Sequence, residues 1–343
     1  MKIAIFHELD LGGARRTVDE FIKRLSFFDV NLYSSNFSPK IWKGNDWRTR
    51  LYKDTLELMK LYKIHKKIAK DIDSKNYDFV LVHPSKYTQA PFLLRFLKTK
   101  SIYFCQEPLR MVYDPPISKI DHIKFPKNIY EFINRKIRKW IDSDNFKKAS
   151  IVLVNSKYSK EFIEKSYGRT VQVCYLGVDA NLFKPLDIDR TIDILYFGNR
   201  DESYELLINS LKLFSSKPKL YSIFRNEKKR LKDEELVEIY NKSKILVSLN
   251  KNEPFGLIPL EAMACGTVVV AVDEGGYKES IVDKKTGFLV SRNIRSLYKG
   301  ISKLLSDDSL RHKLSKQARE HILKNWTWGK SVSRFLKIID YEK

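Results

Sequence analysis

Two glutamates separated by seven residues carry the most informative chemistry in this chain, in the stretch 252–266, NEPFGLIPLEAMACG. Pro254 fits the first turn of a helix, where its missing N–H is harmless. Gly266 and the β-branched run after it fit a helix stop followed by a strand. A helix that opens there turns the free amides of Phe255, Gly256 and Leu257 outward, and Gly256 has no side chain to block close approach. Such an N-terminus is an anion site suited to a diphosphate. Glu261 lies four residues past Leu257, on the same helix face. Its carboxylate can accept two hydroxyl hydrogen bonds, as the 2′ and 3′ hydroxyls of a ribose require. Glu253, just before the helix, sits where a sugar beside that phosphate would lie. Read singly, Glu253 is a helix cap and Glu261 an acid on a solvated face.

These residues need a scaffold, and both halves of the chain supply the same kind. Short β-branched or aromatic runs predict strands at 2–6, 30–33, 79–83, 101–105, 151–155 and 170–175, then at 193–197, 219–224, 245–249, 267–271 and 288–290. Helical patterns fill most gaps, for example 16–25, 54–73, 156–166 and 204–214. This alternation is that of parallel sheets covered by helices, an α/β class. At 343 residues the chain exceeds what one core usually serves, so two Rossmann-like domains are expected. The joint falls in the turn-rich 177–185, GVDANLFKP. The expected division is 1–180, 181–325 and a C-terminal helical segment 326–343, for which a crossing back to the first domain is left open. Two such sheets would turn the carboxyl ends of their strands to a shared central cleft.

Charge is uneven. The chain holds 64 Lys and Arg against 42 Asp and Glu, a net +22, and residues 1–170 hold 34 against 19. A basic first half attracts anions: nucleic acid, acidic lipid or a phosphorylated substrate. Ile129, Phe132, Ile133, Ile137, Trp140 and Ile141 share a helical face, beside or opposite Arg135, Lys136, Arg138 and Lys139. That is first the core face of a domain helix, and second a helix lying on an anionic membrane. No zinc-finger spacing or RNA-recognition aromatic motif is present, so nucleic acid is not an expected partner. No run approaches the roughly 18 apolar residues that cross a bilayer, and the start has too short an apolar core for a signal peptide. The expected location is cytoplasmic, or peripheral on the cytoplasmic face of a membrane. Cys105, Cys174 and Cys265 show neither metal-ligand nor disulfide spacing and are expected to be buried apolar residues.

Taken as one string, the two glutamates around Pro-Phe-Gly-Leu with Glu-Ala-Met-Ala-Cys-Gly after them resemble the donor-site motif of retaining glycosyltransferase family 4, the glycosyl transferases group 1. The segments beginning at Asn155 and Tyr175 are similar to that family's end of the first domain. Gly275, Gly276, Glu279 and 286–290 (TGFLV) are similar to its pattern after the donor helix. The loop 11–16 (LGGARR) resembles its first glycine loop, and Trp326 with Trp328 its C-terminal segment.

The resemblance implies a GT-B fold and a retaining, metal-independent transferase. It would move a hexosyl unit from a UDP- or GDP-sugar to a glycan or lipid-linked acceptor, with no cofactor beyond the nucleotide-sugar. By the same resemblance Glu253 contacts donor-sugar hydroxyls, Glu261 the ribose, and Phe255, Gly256, Leu257 and Ile258 the sugar and diphosphate. Gly12 and Gly13 give close approach to phosphates or acceptor. Where the family supplies an Arg and a Lys to the leaving group, this chain has Arg200 but no Lys. Arg225, Lys228 or Lys229 are the compensating candidates. Where many relatives have a His, this chain has Gln106, which can hydrogen-bond a hydroxyl but cannot act as a base. Glu107 and Arg110 are candidates for acceptor contact, or else a loop salt bridge. Three other readings compete: another enzyme on the same fold, a degenerate glycan-binding or scaffold protein, and a nucleic-acid binder suggested by charge alone.

Overall fold

The computed structural model describes residues 1–10, 12–40, 46–114, 123–224 and 231–341. By internal contacts the chain divides into two units. The first comprises Met1–Asn155 and Ser159–Cys174, the second Ser156–Tyr158 and Tyr175–Lys343.

In the first unit β1 (Lys2–Glu8), α1 (Gly13–Leu25), β2 (Asp29–Tyr33), α2 (Trp47–Asp73), β3 (Phe79–Ser85) and β4 (Ser101–Phe104) follow in order. A one-turn α3 (Arg110–Tyr113), then α4 (Lys127–Lys148), β5 (Ile151–Val154), α5 (Lys157–Tyr167) and β6 (Gln172–Val173) complete it. The sheet runs β2-β1-β3-β4-β5-β6 and its strand pairs are all parallel. Every residue of β3, β4 and β5 is buried, because helices cover both faces and leave no polar alternation. Asp46 caps α2, accepting N–H bonds from Arg48 at 3.3 Å and Thr49 at 2.9 Å.

The second unit repeats the plan. Here β7 (Ile192–Gly198), α6 (Glu202–Leu211), β8 (Leu220–Phe224), α7 (Asp233–Lys242) and β9 (Ser243–Ser248) lead to α8 (Leu257–Ala264). Beyond it come β10 (Val268–Val272), α9 (Tyr277–Ser280), β11 (Gly287–Val290), α10 (Ile294–Ser306), α11 (Asp308–Asn325) and α12 (Trp328–Tyr341). Its parallel sheet runs β11-β10-β9-β7-β8. All eleven predicted strands form, with ends shifted by a few residues. Helix α6 stops at Leu211 rather than at 214, and α2 starts at Trp47 rather than 54 because Asp46 caps it there. Among the described residues no helix is long and apolar enough to cross a membrane, and all three cysteines are buried, with no disulfide among them.

Candidate functional site

The stretch 252–266 follows β9, at the carboxyl edge of the second sheet, where open α/β sheets bind ligands. Helix α8 does not begin at Pro254. Gly256 is its N-cap in the left-handed region, φ 90° and ψ 66°, and the first helical residue is Leu257. Pro254 lies in the approach loop, while Pro259 takes the third helical position, where a missing N–H leaves no intrahelical bond unmade. Phe255 is buried, and no side chain caps the helix, so the first-turn amides keep the anion-binding character expected of them.

Glu261 is not on a solvated face. It is 4% exposed, and its Oε2 accepts a hydrogen bond from the Tyr240 hydroxyl at 3.0 Å. The neighbouring Cys265 thiol is pushed up to about 12, first by burial and then by the Glu261 charge. Helix α8 is apolar nearly all round, with Pro259 to Ala264 buried, which carries the carboxylate inward with it.

Glu253 is half-buried, and Asn250 Nδ2 donates to its Oε2 at 3.2 Å. Asn250 also abuts the end of β7: a Cβ on Gly198 would lie 3.1 Å from Asn250 Oδ1. The loop around Glu253 is held from two sides. The Ser156 hydroxyl donates to Pro254 O at 2.6 Å, and the Tyr158 hydroxyl to Asn252 Oδ1 at 3.2 Å. From the other side the Gly276 amide donates to Glu253 O at 2.9 Å. A Cβ on Gly276 would come within 2.5 Å of Pro254 O, so only glycine permits this packing. Glu279 ties the two supports together, accepting from the amides of Lys157 at 2.9 Å and Tyr158 at 2.8 Å and from the Tyr175 hydroxyl at 2.8 Å.

Arg200 stands exposed just past β7, its guanidinium 4.1 Å from the centre of the Phe224 ring. Arg225, Lys228 and Lys229 lie outside the described residues. Arg292 grips Glu274 through Nε at 3.0 Å and Nη2 at 2.7 Å, and Leu249 O through Nη1 at 2.9 Å.

The first unit's candidates follow the carboxyl ends of β1 and β4. Gly12 precedes α1 in extended backbone, and a Cβ there would meet nothing within 4 Å. Gly13 is the first residue of α1. Gln106 is half-buried, with its Nε2 shielded from solvent and making no hydrogen bond among the described residues. Arg110 binds Asp114 through Nε at 3.2 Å and Nη2 at 3.0 Å, with Glu107 at 3.9 Å, so the loop salt bridge is the arrangement seen.

Sequence reading missed a polar group beside them. His65 Nδ1 accepts from the Leu93 amide at 3.2 Å, which leaves the proton on Nε2 to donate to Glu8 Oε1 at 3.1 Å. Burial pushes the Glu8 carboxyl upward, but hydrogen bonds from His65, Ser35 and Ser85 outweigh it and hold it below the usual value. His83 is fully buried and stacked on Phe104 at 5.9 Å, with neither ring nitrogen hydrogen-bonded among the described residues. Burial lowers it to about 3. Only the 83 side of this group had a signal, a histidine ending an otherwise apolar strand; the Glu8–His65 pairing spans 57 residues and leaves no local trace.

Comparison with known proteins agrees with this layout. Residues 228–321 match the family described as glycosyl transferases group 1. The chain is 23% identical to an uncharacterised glycosyltransferase of Methanocaldococcus jannaschii, over 96% of this chain and 95% of that one. A stretch covering 31% of the chain is 36% identical to the D-inositol 3-phosphate glycosyltransferase of Salinispora arenicola, and it spans only 23% of that protein. Sucrose-phosphate synthase of Thermosynechococcus elongatus superposes with a TM-score of 0.72 at 15% identity, over 99% of this chain and 98% of that one. Anabaena HepE, solved in complex with UDP and glucose, gives 0.68 at 16% identity, over 99% of each chain. The fold is therefore GT-B, and the class is that of the glycosyltransferases. Over residues 228–321 the chain is similar to the glycosyl transferases group 1.

Proposed function

We propose that the chain is a retaining, metal-independent hexosyltransferase that uses a UDP- or GDP-sugar and delivers the sugar to a glycan or lipid-linked acceptor. The observation that carries this reading is the pairing of a left-handed Gly256 cap, with its open first-turn amides, with a buried Glu261 one turn further on. The amides of Leu257 and Ile258 meet the diphosphate. Glu261, oriented by Tyr240, accepts the ribose hydroxyls. Glu253, oriented by Asn250, accepts hydroxyls of the transferred sugar. That HepE is solved with UDP and glucose supports a nucleotide-sugar of this kind.

In the reaction the bond from the sugar's anomeric carbon to the diphosphate oxygen breaks as the acceptor oxygen bonds to the same carbon on the same face. The departing phosphate oxygen takes the acceptor's hydroxyl proton, so no side-chain base is required. Charge growing on the leaving diphosphate is stabilised by the α8 amides and by Arg200 after it turns from Phe224. Gln106 donates a hydrogen bond to a sugar hydroxyl from Nε2, a role open to a carboxamide. The first unit, with Gly12, Gly13, Glu107 and Arg110, takes the acceptor.

The test is transfer itself. Purified protein is incubated with UDP- and GDP-hexoses and candidate acceptors, and the product's anomeric configuration is read by NMR. Retention in a chelated buffer supports the reading, and inversion contradicts it. Nucleotide binding with neither transfer nor donor hydrolysis would instead favour a degenerate binding protein.

A further inference from the structure

The first unit carries an unusual outer surface on two adjoining helices. Leu61 and Ile141 share a buried cluster with Leu58 and Ile137 packed against it, and the Tyr130 hydroxyl bonds to Asp54, so α2 and α4 lie side by side. Their inward faces are buried through Leu61, His65 and Ala69 on α2 and Tyr130, Asn134 and Ile141 on α4. Facing away from these, Tyr52, Leu56 and Met59 fall at helical spacing along α2, and Tyr52 and Met59 are 63% and 53% exposed. On α4, Phe132 is 49% and Trp140 64% exposed. The sequence expectation of a core stripe is thus met at Ile141 but not at Phe132 or Trp140.

Single exposed apolar residues are ordinary on protein surfaces. These are grouped, and they are interleaved with cations. Helix α2 carries eight Lys and Arg against four acids, and α4 seven against three. Lys60, Lys63, Lys67, Lys136 and Lys139 are exposed. The Lys136 ammonium sits 4.3 Å from the Phe132 ring centre, and Arg95 5.0 Å from that of Trp140. A protein partner would favour a surface poor in lysine. Aromatic rings and thioether at headgroup depth, with lysines reaching anionic phosphates beside them, are what a bilayer surface selects.

We infer that the outer faces of α2 and α4 dock the protein on a bilayer rich in anionic lipid. The inference goes beyond the transferase reading and does not depend on it. Each basic residue at such a surface is worth about fivefold in partitioning.

Flotation with vesicles, in the absence of nucleotide and sugar, tests it. The full chain should float with phosphatidylglycerol-containing vesicles, not with phosphatidylcholine alone, and less as salt rises. Lys136→Glu with Lys139→Glu should weaken partitioning roughly twenty-five-fold or more by that same value, and Phe132→Ser with Trp140→Ser should also weaken it, each without loss of the thermal transition. If the latter pair unfolds, Tyr52→Ser with Met59→Ser serves in its place. No flotation with anionic vesicles at low salt, or flotation unchanged in these variants, overturns the inference. So does binding of a random oligonucleotide that the same variants abolish while vesicles are ignored.

Discussion

The Tyr240 hydroxyl donates to Glu261 Oε2 at 3.0 Å, with the ring fully buried and the carboxylate nearly so. Tyr240 lies in the last turn of α7 and Glu261 in α8, so this bond helps set the direction of a carboxylate almost withdrawn from solvent. A hydrogen bond to a buried charged group is worth about 1.5–3 kcal/mol. Tyr240→Phe should therefore weaken nucleotide binding by roughly tenfold or more, and Glu261→Ala further, as measured by calorimetry. Unchanged affinity in both variants would remove Glu261 from the donor site.

Glu253 should behave differently. Its partner Asn250 holds it beside the helix, and its proposed contact is with the transferred sugar rather than the nucleotide. Glu253→Gln is expected to lower kcat by one to two orders of magnitude, about 1.4 kcal/mol for each, while UDP or GDP affinity stays within a few-fold. A variant that loses nucleotide affinity and kcat together would contradict this division of labour.

The support of the Glu253 loop can be tested by adding one methyl group. A Cβ at Gly276 meets Pro254 O at 2.5 Å and Phe255 Cα at 2.6 Å, both backbone atoms that cannot swing aside. Gly276→Ala should cost about 1–3 kcal/mol of stability and displace the loop, so donor binding falls even where the protein remains folded. A variant with wild-type thermal stability and affinity would show that the approach is looser than described.

Acid should destabilise the first unit through His83. Its folded value is held near 3 by burial, below the ordinary value of 6.5, so the unfolded chain binds the extra proton. The contribution is fully present above pH 6.5 and is lost on acidification from there down to about 3, at about 1.4 kcal/mol per pH unit at most. His321 is lowered in the same sense, by burial; Asp142 is raised to about 7 by burial and acts oppositely. Denaturant melts of His83→Leu against wild type isolate the histidine: the gap between them should shift in the variant's favour as pH falls from 6.5 to 4. A gap independent of pH would mean His83 already carries a partner.

Much of this architecture was legible in the sequence. Runs such as 151–154 and 268–272 are apolar throughout, as strands covered on both faces must be, and every predicted strand is present. The donor stretch was legible as a unit because its glycines, prolines and acids are local. Its fine structure was not. Pro254 looked like a helix start, but the left-handed turn at Gly256 delays the helix to Leu257. Glu261 looked equally like a surface acid, but it is buried, and the hydroxyl that helps orient it comes from Tyr240, 21 residues away. The Glu279 brace joins residues more than 100 positions apart, from Tyr175 to Glu279, and no spacing rule anticipates it.

The central claim is that the second unit holds a nucleotide-sugar through α8, and ligand-induced stabilisation tests it most directly. Thermal melts are run with UDP, GDP, UDP-glucose, UDP-N-acetylglucosamine and GDP-mannose, each with and without EDTA. At about a hundredfold excess over Kd a bound ligand adds roughly 2.7 kcal/mol. A clear upward shift is expected with one nucleotide and its sugars, equal in both buffers and abolished in Glu261→Ala. No shift with any of the five, or a shift that Glu261→Ala leaves intact, would contradict it.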